Sequence, residues 1–133
     1  MDSTNPHSGN YSAYLCGYSS CNDSIWQSFT VPDNASSITV SYWWYGDTDH
    51  SSQSCVDTLT VTLLDSSGNT IGKVQAACNK DATRTWQQIT FDATSLLANY
   101  AGQDVTLVFE AKTSSSSSRT SAFYVDDVAV TAQ

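Results

Sequence analysis

The 133-residue chain is poor in positive charge. Five Lys and Arg side chains stand against 13 Asp and Glu, giving a net charge of −8. A phosphate backbone would meet repulsion over nearly all of such a surface, which argues against nucleic acid as a partner. No apolar run approaches the roughly 20 residues that span a bilayer, and the opening Met-Asp-Ser-Thr has neither the basic nor the apolar region of a secretory signal. The expectation is a soluble, monomeric segment of a longer protein, with no membrane association. Glutamate occurs once, at Glu110, and histidine twice, at His7 and His50. A glycosidase needs two carboxylates flanking the scissile bond, and sequence spacing pairs no two of them here. Neither histidine lies near a Gly-x-Ser-x-Gly elbow that would make it part of a nucleophile triad. No catalytic residue is predicted, and the chain is read as a non-enzyme.

What is present is polar but foldable. Serine (22) and threonine (16) dominate, yet 11% aromatic residues and evenly spaced valine and leucine supply a core for one domain over residues 1–133. Short alternating runs broken by turn residues every ten or so positions predict an all-β antiparallel sandwich of about eight strands. The runs are Tyr11–Tyr18, Ser24–Val31, Ser37–Tyr45, Asp57–Leu64, Thr70–Ala77, Thr85–Phe91, Asp104–Lys112 and Ser121–Thr131. Thr94 to Tyr100 is the one helical stretch. Residues 1–10 read as a poorly ordered arm and 113–120 as a flexible serine-rich hairpin tip.

Period-two alternation assigns faces. Leu59, Val61 and Leu63, with Val105, Leu107 and Phe109, point inward. In Ser37–Tyr45 the inward set is Ile38, Val40, Tyr42 and Trp44, which turns Trp43 and Tyr45 outward. In Ser24–Val31, Ile25, Gln27, Phe29 and Val31 share the inner face, so Trp26 faces water and Gln27 becomes a buried amide in need of partners. The last run changes parity at Asp126-Asp127: Phe123 and Val125 are odd, Val128 and Val130 even. One extra residue there, a β-bulge, restores the inward facing of both halves and aims a carboxylate out of the ladder.

Four cysteines lie at 16, 21, 55 and 78, and local pairing, Cys16–Cys21 and Cys55–Cys78, is the simplest of three connectivities. Disulfides imply an oxidising, secreted location. The rival, a zinc site, lacks a C-x2-C pair. Asp47, Asp49 and Asp57 form the densest acidic cluster and are candidate calcium ligands. Asp126 joins them, because a carboxylate between apolar strand positions needs an ion or donors to offset its desolvation.

Four segments occur in a telling order: Ser8-Gly9-Asn10-Tyr11-Ser12-Ala13, Ile25-x-Gln27-x-Phe29-x-Val31-Pro32, Tyr100-Ala101-Gly102-Gln103 and Phe123-Tyr124-Val125-Asp126-Asp127-Val128. Together they resemble the bacterial jelly-roll accessory modules of secreted glycoside hydrolases and peptidases, a galactose-binding-like sandwich that shares its closing Asp-Asp with MAM domains. The resemblance implies a structural calcium near the terminal Asp-Asp and aromatic side chains displayed on one sheet. The chain departs from it at the start, where only Met1 to His7 precede Ser-Gly-x-Tyr and the usual further strand with its acidic residue is missing.

Sugar rings present apolar C–H faces and hydroxyl edges, so outward rings flanked by polar groups predict polysaccharide binding. Trp43, Tyr45 and Trp26 come first, with Tyr14, Tyr18 and Trp86 behind them. The leading expectation is a carbohydrate-binding module attached to a parent catalytic domain. The alternative is a structural or protein-interaction domain of a secreted peptidase or adhesin.

Overall fold

The computed structural model describes residues 2–50, 54–115 and 119–133. Its eight strands make two antiparallel four-stranded sheets. One runs β1 (Ala13–Cys16), β8 (Ser121–Ala132), β3 (Ile38–Thr48), β6 (Gln87–Asp92), and the other β2 (Asn22–Thr30), β7 (Asp104–Lys112), β4 (Thr58–Leu64), β5 (Thr70–Cys78). Neighbours in space are rarely neighbours in sequence, as a jelly roll requires. A single helical turn, α1 (Thr94–Leu97), continues as a 3₁₀ turn over Ala98–Tyr100 and buries Leu97.

The inner faces follow the alternation. Ile38, Val40, Tyr42 and Trp44 of β3 meet Leu59, Val61 and Leu63 of β4 and Val105, Leu107 and Phe109 of β7 in one core. A fully buried aliphatic or aromatic side chain contributes roughly 1.5–3 kcal/mol, so these strands fix the register. The Tyr42 ring stands edge-on to Phe109 at 4.9 Å, and its hydroxyl donates to Gln75 Oε1 at 2.6 Å. Burial pushes this phenol far above its ordinary pKa, so it remains a neutral donor.

The bulge is present. Trp43 pairs with Asp126 but Ser41 with Ala129, so Asp127 and Val128 together stand opposite Tyr42. Asp127 takes a positive φ of 53° there. Phe123 and Val125 are buried and Val130 packs against the core.

Three expectations are corrected. Gln27 is exposed: β2 is an edge strand paired only with β7, and its inner side opens onto a cleft shared with Phe29, Leu107, Val128 and Val130. Val128, read as inward, is exposed because it sits in the bulge, beyond the stretch of β8 that β1 covers. The N-terminal arm is docked, with Asp2 and Ser12 exchanging backbone hydrogen bonds of 2.6 and 2.8 Å. The serine-rich tip lies partly outside the described residues.

Both local disulfides form, with Cα atoms 5.6 Å apart for Cys16–Cys21 and 5.4 Å for Cys55–Cys78, and no cysteine is free for zinc. In the chain-entropy account they stabilise by about 2 and 3 kcal/mol.

At the start of β4, Asp57 is wholly buried. Its Oδ1 accepts the Ser114 N–H at 2.8 Å. Its Oδ2 accepts the Ser121 hydroxyl at 2.6 Å and lies 3.0 Å from His50 Nε2. The buried amide of Asn79 accepts the N–H groups of Val56 and Asp57 and donates to the Ser54 carbonyl. These two side chains anchor segments from four parts of the chain. Asp57→Ala leaves three groups without their shared acceptor and is expected to cost about 3 kcal/mol or more, read as a lowered urea midpoint at pH 7.

Candidate functional site

The outward face of the β1-β8-β3-β6 sheet carries a row of aromatic residues. Tyr14 pairs with Tyr124, Tyr124 with Tyr45, and Trp86, just before β6, continues the row. Ring centroids step 5.0 Å from Tyr14 to Tyr124, 5.5 Å to Tyr45 and 5.6 Å to Trp86. The planes are tilted or perpendicular, so these rings pack edge to face on one another rather than forming a flat platform. Gly17, at φ +91°, leaves room for the Tyr14 hydroxyl, with which any Cβ at that position would collide. Partial burial, reinforced by the negative charges of Asp2 and Asp47, holds the Tyr14 and Tyr124 phenols above their ordinary pKa and keeps them as neutral donors.

Trp43 and Tyr45 face outward as the register requires, but both are half-buried. Trp43 is capped by the chain itself: the His7 imidazole lies on its indole at 4.0 Å with 17° between planes. The bulge carboxylates hold this arm in place. Asp126 Oδ2 accepts the N–H groups of His7 and Ser8 at 2.9 and 3.1 Å, while its Oδ1 accepts the Asp127 N–H at 2.8 Å. Asp127 lies 2.6 Å from His7 Nδ1 and accepts the Ser8 hydroxyl at 2.5 Å. The Ser8 hydroxyl first, and then His7, hold its carboxyl below the ordinary 3.8.

The predicted calcium ligands are engaged by groups of the chain itself. The Asp126 oxygens accept three N–H donors, which already offset much of the carboxylate's charge. Asp47 is bound by the Arg84 guanidinium at 2.6 Å, Asp49 lies 4.0 Å from the same group, and Asp57 is enclosed as described. Among the described residues, one trio of His, Cys, Asp or Glu ligand atoms comes within 4.8 Å of one another, that of Cys16, Cys21 and Asp23, and both sulfurs belong to a disulfide.

The opposite sheet presents a different surface. Trp26 is 67% exposed, the most open large apolar side chain among the described residues. It pairs with Val108, which pairs in turn with Thr62; the adjacent row is Ser28, Thr106 and Leu64. These strands and the β4–β5 turn enclose a groove of about 540 Å³ lined by Trp26, Val108 and Leu64 and by the polar groups of Ser28, Thr106, Asp65 and Asp104. The polar lining is pre-set. The Ser28 and Thr106 hydroxyls share a 2.8 Å bond, Thr30 donates to Asp104 at 2.7 Å, and Asp65 Oδ1 accepts the Ser67 and Asn69 N–H groups. The predicted rings are therefore divided between two opposite faces. Tyr18 belongs to neither, lying exposed in the turn closed by Cys16–Cys21 with its hydroxyl 3.4 Å from Asp23. Sequence reasoning missed His7, Tyr124 and the groove walls. The outward parity of Tyr124 and Val108 carried a signal; nothing local marked His7.

No protein-family model matches the chain, and no curated protein does. Solved structures do. TmCBM61, a carbohydrate-binding module in complex with β-1,4-galactotriose, superposes with a TM-score of 0.63 at 13% identity, over 96% of this chain and 74% of that one. The enzymatically active domain of bacteriophage CBA120 tailspike protein 4 superposes at 0.58 and 12% identity, over 99% of this chain but 17% of the other. The chain thus shares the β-sandwich fold of that module.

Two outcomes test the arm and the carboxylates. A folded-state pKa below 3.8 means that Asp127 stabilises the docked arm above that pH and ceases to as the pH falls through its lowered value. Trp43 fluorescence and amide exchange of His7 and Ser8 should therefore change together below pH 3.8, ahead of global unfolding. With the Asp126 oxygens engaged by backbone N–H groups, EDTA is expected to leave Tm unchanged, since an ion bound only to the folded state would raise it.

Proposed function

We propose that the protein is a non-catalytic saccharide-binding module that holds a neutral polysaccharide in the Trp26 groove. The observation that carries this reading is the open indole itself, set among hydroxyls and carboxylates that are already oriented by their own hydrogen bonds. An indole face takes the C–H face of a pyranose, and the polar rim takes its hydroxyls, without cost for rearranging the protein. Asp65 and Asp104 make the rim acidic and disfavour anionic sugars. The likeness to a module that binds β-1,4-galactotriose supports the class of ligand.

Function in this reading is affinity rather than turnover. A shallow groove of this kind binds at about −4 to −8 kcal/mol, millimolar to micromolar, and joining the module to a catalytic domain raises the local substrate concentration. The two disulfides accord with a secreted protein. Affinity electrophoresis through soluble β-1,4-galactan, xylan and mixed-linkage β-glucan tests the proposal. Retardation on at least one polymer is expected, with Trp26→Ala weakening it tenfold or more, about 1.4 kcal/mol. Retardation indifferent to that substitution would move the site elsewhere, and none on any polymer would favour a structural or protein-interaction domain.

A further inference from the structure

We propose that residues 2–8 are a tethered occupant of a second saccharide subsite. The outer face of Trp43, backed by Asp126 and Asp127 and flanked by Trp86, takes a neutral sugar ring when the arm swings away. This rests on the reading that the module binds saccharide, but it places the ligand on the sheet opposite Trp26.

What the arm does on this face is what a pyranose does. A flat ring with a polar edge lies parallel to the Trp43 indole, 5.4 Å from the Trp86 ring, and four donors from two consecutive residues bond two carboxylates. A sugar offers the same combination, an apolar face and vicinal hydroxyl donors. The two carboxylates left at the vacated face, Asp126 and Asp127, select a neutral ring over an anionic one. The attachment is built to release. None of residues 2–8 is buried, the arm is held by polar contacts and one stacked ring, and Gly9 behind it has a positive φ of 63° with open space around it. Such a segment opens locally without disturbing the core. A ligand competing with it binds with its intrinsic affinity reduced by the fraction of molecules that are open, so loosening the arm raises apparent affinity.

The test uses the full chain. Trp26→Ala is compared with Trp26→Ala/His7→Ala and Trp26→Ala/Ser8→Ala by affinity electrophoresis in soluble β-1,4-galactan, xylan and mixed-linkage β-glucan at pH 7, each protein checked for a cooperative melt. Ser8→Ala removes one of the arm's donors to Asp127 while leaving both carboxylates for a sugar, and serves if His7→Ala folds poorly. Both double variants are expected to bind at least one polymer fivefold or more tightly than Trp26→Ala, and adding Trp43→Ala should abolish the gain. Folded double variants that migrate like Trp26→Ala would overturn the second subsite while leaving the Trp26 reading to stand on wild-type retardation. A gain that survives Trp43→Ala would overturn it too.

Discussion

The pairing of β3 with β8 across one extra residue governs the rest of the molecule. β3 is committed by Val40, Tyr42 and Trp44, all buried, and β8 by Phe123 and Val125. Without the insertion at Asp127 the second half of β8 would present the wrong side to the core, since a one-residue slip reverses every side chain. The bulge absorbs that mismatch and leaves two carboxylates projecting beyond the ladder. An acidic pair on an outer face needs donors, and the chain supplies them from its own first residues. Register, carboxylate position and arm docking thus form one sequence of causes.

The outer faces solve the problem of exposed aromatic surface in different ways. On one sheet the rings are near enough to bury one another, and the arm covers the remaining indole. On the other a lone indole has only Val108 and Leu64 beside it and stays open. Large apolar patches left in water mark places where something else comes to rest. That contrast gives the Trp26 face the stronger claim to a resident ligand, although Trp43 and Tyr45 share its outward register.

Much of this was legible in the residues. Alternation places the inward residues of β3, β4 and β7 correctly, because strands at the middle of a sheet have both flanks filled and their pattern is enforced. The parity change at Asp126-Asp127 reveals the bulge for the same reason. Local cysteine spacing reveals both bridges. Gln27 misleads because alternation tells which way a side chain points and not whether anything covers it at an edge. Asp126 leaves its partner open in the sequence because a carboxylate's need is met by a cation or by donors, and the backbone N–H groups that bond it come from residues 119 and 118 positions away. The docking of His7 depends on long-range packing alone, and no periodicity in residues 1–10 encodes it.

The open edge at Gln27 matters beyond the single molecule. β2 ends its sheet with unpaired backbone on one side, and the inner-facing position there, which alternation would give to a valine or isoleucine, is an amide beside the exposed Ser24 and Ser28. A greasy residue at that seam would invite a neighbouring chain to add its own strand, whereas hydrated polar side chains discourage such growth. Where copies crowd together, a polar selvedge of this kind works against their fusing into one ribbon.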